Sequence, residues 1–149
     1  MSSHDLARVE RKLRASGFKV TPQRLAVARA VLGSQEHPTA DDIFRAVRRD
    51  FPSMSLTTVY HTLDTLRALG EVTELRAGEA VRFDPNHEPH HHLVCVGCRR
   101  IVDIDRGAAP VPIPPSVAAE YEILDYHVQF TGYCTTCRPR QDTQAGGPR

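Results

Sequence analysis

Two Cys-x-x-Cys pairs, Cys95-Val-Gly-Cys98 and Cys134-Thr-Thr-Cys137, stand 35 residues apart in a chain of 149. Two intervening residues let both thiolates of a pair turn onto one metal. Two such knuckles give a closed tetrahedral S4 site, which suits Zn2+. A closed site leaves no coordination position for chemistry, so its expected role is structural. It would staple a first hairpin to the end of a module too small for a large core. A redox disulfide pair and unrelated core cysteines are the alternatives. The gap exceeds that of a compact zinc ribbon, so a small fold must lie between the knuckles. The polar start, Met1 to Glu10, has no apolar core and does not read as a secretory signal. The expected compartment is therefore the cytoplasm, where thiols serve more often as metal ligands or redox groups than as disulfides.

Composition narrows the rest. Hydrophobic residues make up 40% and charged residues 25%, which excludes a disordered, collagen-like or coiled-coil chain. No run of ten apolar residues occurs, so no membrane span is expected. The length fits one ordinary domain or two small ones. The net charge of +1 is unevenly spread: residues 1–29 carry a net of +5, and residues 86–149 a net of −1. Seven of the eight histidines lie at or after His37. A basic start and a His/Cys-rich second half suggest two modules with different tasks.

The first half reads as helices. Leu6, Val9 and Leu13 recur at helical spacing and Gly17 follows them. Thr21-Pro22 opens a second helix that Gly33 stops. Thr39 caps a third, with Ile43, Phe44 and Val47, ending before Phe51-Pro52. Ser55 starts a fourth, with an inner stripe of Leu56, Val59, Leu63 and Leu66, and Gly70 closes it. Val72 to Leu75 and Ala80 to Phe83 form a hairpin around Ala77-Gly78-Glu79. Short helices followed by a hairpin describe a winged helix-turn-helix, whose fourth helix would read DNA. Thr57, Tyr60, His61 and Asp64 lie opposite its apolar stripe. The expected DNA contacts are Arg24, Ser55, Thr57, Thr58, Tyr60 and His61, with Arg24 on phosphate.

Residues 84–91 form a polar, histidine-rich connection. Beyond it, Leu93 to Cys95 and Ile101 to Ile104 read as strands, Gly107 to Pro115 as irregular, Ser116 to Tyr121 as a short helix, and Glu122 to Tyr133 as a longer strand. The tail from Gln141 lacks apolar anchors and reads as disordered. His90 and His92 share one face of the first strand, and His91 faces away. Asp84 lies just before them, Asp103 lies on the partner strand, and His37 precedes the third helix. Mixed His and Asp donors suit Fe2+, Mn2+ or Zn2+. A solvated histidine run is the plainer alternative.

Several pieces together resemble the ferric uptake regulator family, and are most similar to its peroxide-sensing branch. They are Thr21-Pro-Gln-Arg24, His37-Pro-Thr-Ala-Asp-Asp-Ile43, Ser55-Leu-Thr-Thr-Val-Tyr60, Arg82-Phe-Asp84, His90-His-His-Leu-Val-Cys-Val-Gly-Cys98 and Cys134-Thr-Thr-Cys137. The resemblance covers roughly residues 5–138. It implies an α+β chain: a winged-helix DNA-binding domain at 1–84 and a metal-binding α/β dimerisation domain at 85–138; the remaining 139–149 is expected, from its composition, to be a disordered tail. It further implies a homodimeric transcriptional repressor on a palindromic double-stranded operator, not an enzyme. Structural Zn2+ would sit on Cys95, Cys98, Cys134 and Cys137. Regulatory Fe2+ or Mn2+ would sit on His37, Asp84, His90, His92 and Asp103. Asp at both acidic positions, with His37, is like the peroxide-sensing members. His61 stands where those members carry Asn and iron sensors carry Arg, so operator preference does not transfer. His91, facing away from the ligand pair, is a candidate for a further metal site with His127.

An uptake regulator for iron, zinc or manganese, without peroxide sensing, is the nearest alternative. A zinc metallohydrolase is an alternative of another class, but the chain has no His-Glu-x-x-His and no evident general base. Coupling between metal and DNA needs only a ligand that prefers one of two conformations. Ligands drawn from both modules would supply that preference.

Overall fold

Side-chain caps decide where the first helices begin. A computed structural model describes residues 3–138, and the tail expected at 139–149 lies outside them. Helix α1 runs Ser3–Ala15, α2 Pro22–Leu32, α3 Ala40–Val47 and α4 Leu56–Ala68. Thr21 accepts from the Arg24 N–H at the start of α2, where Pro22 needs no partner for its missing N–H. Thr39 and Asp42 form a reciprocal capping box on α3. Ser55 accepts from the Thr58 N–H on α4. Gly70, at φ 68°, turns the chain after α4 in the left-handed backbone that glycine tolerates.

The four helices and a two-stranded antiparallel hairpin make the first unit, which reaches to His90. Strand β1 is Thr73–Ala77 and β2 is Ala80–Asp84, paired from Thr73↔Asp84 to Ala77↔Ala80. Val9, Leu13, Val27, Val31, Ile43, Val59, Leu63, Leu66, Val72 and Phe83 share its core. Each such side chain contributes about 1.5–3 kcal/mol on burial. The stripe expected on α4 is the buried one, except that Leu56 is half-exposed. Thr62 and Thr65 are buried as well. Their hydroxyls donate to the carbonyls of Thr58 and His61, one turn back, both at 2.8 Å.

Helix α1 is fastened by charge as well as by apolar contact. Arg8 Nη2 lies 2.8 Å and Lys12 Nζ 2.6 Å from the carboxylate of Glu71, which is fully buried. Arg14 pairs with Glu10 at 3.5 Å. Two of the seven basic side chains in residues 1–29, Arg8 and Lys12, therefore serve the fold itself.

The second unit begins at His91. Strand β3 is His90–Cys95, β4 Ile101–Asp105 and β5 Gln129–Gly132, in the order β4-β3-β5. Strands β3 and β5 run parallel, from His92↔Gln129 to Cys95↔Gly132. A 3-10 turn spans Arg106–Ala108 and helix α5 spans Pro115–Glu120. The strand expected over Glu122 to Tyr133 is a correction: only Gln129–Gly132 is strand, and Glu122 to Val128 has no regular structure. Tyr121, Ile123 and Leu124 are exposed, Leu124 at 86%. Among the described residues no helix is long and apolar enough to cross a membrane.

Candidate metal centres

The four thiols meet in the second unit. The ligand atoms of Cys95, Cys98, Cys134 and Cys137 all lie within 4.8 Å of one another. Cys98 Sγ and Cys134 Sγ are 3.9 Å apart, close to the edge of about 3.8 Å that Zn–S bonds of about 2.3 Å give a tetrahedron. None of the four is in a disulfide. Backbone turns shape each knuckle: Arg99 N–H donates to Cys95 O at 2.9 Å, and Cys137 N–H to Cys134 O at 3.1 Å. Gly97 is required by contact. A Cβ built on it would lie 2.6 Å from Cys137 Cβ and 2.9 Å from its Sγ.

The thiols are electrostatically unequal. Backbone N–H groups, that of Cys134 first and at 3.3 Å from the sulfur, bring Cys95 down to about 6. Cys137 is pushed up to about 12, by hydrogen bonding to Cys134 first and then to Cys98. Thiols held this close favour the first thiolate and penalise the last. A divalent cation removes that penalty, and an all-sulfur set fits Zn2+.

Each unit presents nitrogen and oxygen donors. In the first, His37 and Asp84 are both buried, with His37 Nε2 3.7 Å from Asp84 Oδ1. His90 Nε2 lies 3.0 Å from Asp84 Oδ2. Its Nδ1 lies 2.6 Å from Glu88 O, so Nδ1–H donates outward and Nε2 is aimed at the carboxylate. That is how a metal-ligating imidazole is commonly oriented. Asp84 is itself fixed by the Asn86 N–H, at 2.8 Å from Oδ1. In the second unit His92 Nε2 lies 3.8 Å from Asp103 Oδ1, where β3 and β4 are neighbours. Both groups offer the borderline donors that Fe2+, Mn2+ and Zn2+ accept.

The first group is braced by a residue that sequence reasoning noted only as part of a motif. Arg82 Nη1 donates to His37 O at 2.9 Å, and Phe83 N–H donates to Pro38 O at 3.0 Å. Strand β2 thus holds the His37 loop and ends in Asp84. His37 has φ 49°, a left-handed backbone uncommon for histidine. Such strain persists where surrounding contacts impose it. The spacing of Arg82 two residues before Asp84 puts both on one strand face, but nothing in the sequence marks the carbonyl that Arg82 reaches.

On α4, Ser55, Thr57, Tyr60 and His61 are exposed and Thr58 is half-buried. Ser55 Oγ and Thr58 Oγ1 are engaged with each other at 2.7 Å. Arg24 is half-buried, with Nη1 donating to Lys19 O at 2.7 Å and its guanidinium 5.8 Å from the centre of the Phe18 ring. His91 is fully buried and His127 exposed. His91 Nδ1 accepts from Val128 N–H and Nε2–H donates to Ala109 O, both at 3.2 Å. In this arrangement His91 Nδ1 accepts and Nε2–H donates within the fold, so neither nitrogen presents a free lone pair.

The ferric uptake regulator family matches residues 15–130. The peroxide operon regulator of Bacillus subtilis is 34% identical over 144 residues, covering 95% of this chain and 99% of that protein. Among solved structures, the Helicobacter pylori ferric uptake regulator is similar in fold, with a TM-score of 0.75 at 18% identity, covering 93% of this chain and 94% of that one. The Campylobacter jejuni peroxide stress regulator gives a TM-score of 0.63 at 26% identity, covering 92% of this chain and all of that one.

Proposed function

Because the chain belongs to the ferric uptake regulator family, we propose that it is a metal-dependent repressor of transcription that answers to peroxide. It works in the cytoplasm as a homodimer on a palindromic duplex. Residues 1–84 bind DNA and residues 85–138 bind metal and dimerise. Zn2+ is held by Cys95, Cys98, Cys134 and Cys137. Fe2+ or Mn2+ is held by His37, Asp84, His90, His92 and Asp103. The observation that carries this reading is the placement of His90 and His92 two residues apart on β3, each beside its own carboxylate, the buried Asp84 for His90 and the exposed Asp103 for His92. Residues two apart on a strand share a face. A metal taking donors from His37 and Asp84 as well as from His92 and Asp103 would favour the conformation that brings those donors together. Such a preference is what links metal binding to DNA binding.

The peroxide response is supported by the relatives' names and by Asp, not Glu, at positions 84 and 103. Bound Fe2+ would supply reducing electrons to peroxide, which Mn2+ supplies poorly. His37 and His90 are the buried and near-buried imidazoles beside Asp84, and losing a donor nitrogen from either would weaken the site.

Binding of a palindromic duplex, measured across salt with Mn2+ or Fe2+ and without either, tests the regulator. Binding is expected only with the metal. His92→Ala and Asp103→Ala should abolish that dependence while zinc content stays at one per chain. With Fe2+, low peroxide should release DNA and leave a one-oxygen adduct on His37 or His90 by peptide mass spectrometry; with Mn2+ it should not. Release with unmodified histidines and oxidised cysteines would replace this reading with a thiol switch. No release at all would leave an uptake regulator.

A further inference from the structure

The histidine between the two ligand histidines does different work. His91 joins three stretches of chain through one imidazole. It stands on β3, its Nε2–H donates to Ala109 O just past the 3-10 turn, and its Nδ1 accepts from Val128 N–H just before β5. A nitrogen that accepts leaves the ring proton on the other, so both contacts belong to one neutral tautomer. The ring also lies 5.5 Å from the Tyr126 ring, centre to centre, at 47°. Tyr126 in turn carries the Arg106 guanidinium 3.7 Å from its centre, and Arg106 Nη1 reaches Asp125 at 3.0 Å.

Val128 is gripped twice. Its N–H goes to the His91 ring, and its carbonyl accepts from the backbone N–H of His92 at 3.0 Å. The next residue, Gln129, is the first of β5 and pairs with His92. Strand β5 is only four residues long, and parallel pairing is slightly weaker per residue than antiparallel. A short parallel strand gains its register from whatever fixes its first residue.

We propose that His91 is a positioning residue for the nitrogen–oxygen metal site. By clamping Val128 it sets the pairing of β5 with β3, and so fixes the backbone from which His92 presents Nε2 toward Asp103. It acts through the His92 backbone and is not a ligand. The inference rests on His92 and Asp103 being regulatory ligands; the clamp itself does not.

Three variants separate its contacts. His91→Asn keeps an acceptor near Nδ1, His91→Gln keeps a donor near Nε2, and His91→Ala keeps neither. The first readout is amide hydrogen exchange on the zinc-loaded full chain with no second metal. The Val128 amide should exchange at least tenfold faster in His91→Gln and His91→Ala, and near the wild-type rate in His91→Asn. The second readout is affinity for Mn2+ alone. It should fall about tenfold or more in His91→Ala, the order seen when groups supporting a ligand are removed. His91→Asn should recover most of that loss, with zinc per chain unchanged in every variant. Should His91→Ala fail to fold, the Asn and Gln pair decides the matter. His127→Ala should change neither readout. Wild-type Mn2+ affinity in His91→Gln overturns the proposal, as does a third metal per chain lost alike from His91 variants and His127→Ala. A wild-type chain that binds no Mn2+ defeats the regulatory reading and the positioning role together, and the exchange measurement shows separately whether the clamp exists.

Discussion

Gly97 shows how tightly a single position is specified at the sulfur cluster. Its missing side chain leaves room for Cys137, which a Cβ would meet at 2.6 Å. The obstacle is the Cβ and Sγ of a ligand residue, which cannot swing aside without moving its sulfur. Gly97→Ala should therefore cost about 1–3 kcal/mol, and lower the melting temperature by roughly 3–10 °C. Zinc content after mild chelation should fall in step, since strain at the knuckle is strain at the metal. Unchanged chelation resistance would show that the knuckle can relax. The cysteines themselves were legible from spacing alone, because two residues between thiols is a metal-binding distance whatever surrounds it. The need for glycine was not, because Cys137 lies 40 positions further along the chain. Nor was the fate of His91. Alternation predicts that it faces away from His90 and His92, but not that two backbone groups wait there for its nitrogens.

Helices with polar caps were the most legible elements. Thr21-Pro22, Thr39 with Asp42, and Ser55 each mark a boundary through bonds reaching only three residues along the chain. Strand β5 was the least legible. Apolar residues at 126, 128 and 130 alternate as a strand's would, but a strand also needs a neighbour, and β3 begins only at His90. Ahead of Gln129, the Val128 carbonyl still accepts from the His92 N–H, but its own N–H goes to the His91 ring, and residues before His127 extend beyond β3. The ionic fastening of α1 was also hidden, since it joins residues 8 and 12 to residue 71. Burial raises the Glu71 carboxyl, but hydrogen bonds from Lys12 and Arg8 outweigh it and leave it below its ordinary 4.5. A carboxyl lowered on folding adds stability that is fully present above 4.5 and is lost as pH falls through its lower folded value. The partners, each more than a third exposed, can turn to water when the carboxylate goes. Glu71→Gln should thus cost only about 1–3 kcal/mol. Arg8→Ala combined with Lys12→Ala strands a buried charge and should cost about 3–5 kcal/mol. Urea unfolding at pH 7 and at pH 4 checks both the order and the acid slope, which should be shallower in Glu71→Gln.

For the whole molecule, the two units differ in how well they enclose their apolar residues. The first has an extensive core, whereas the second buries Val94, Cys95 and Ile101 and leaves Val117, Tyr121, Ile123, Leu124 and Phe130 exposed. Exposed apolar residues in such number are what an interaction surface presents, and in the proposed dimer a second copy would cover them. Leu124→Asp should move the zinc-loaded chain toward monomer in sedimentation, with metal content intact and affinity for a palindrome reduced. A variant that sediments as the wild type does would place the interface elsewhere. Strand β3 carries a further consequence. It presents His90 and His92 from one face and His91 and Cys95 from the other, so in the proposed reading a single extended segment would carry nitrogen donors and a sulfur donor back to back. The arithmetic of such a strand is parity. Exchanging one side chain perturbs one contact, but inserting or deleting a single residue between His92 and Cys95 turns over everything beyond it. Length between these two positions is therefore under tighter constraint than identity, and this short stretch should accept many point changes and no change of frame.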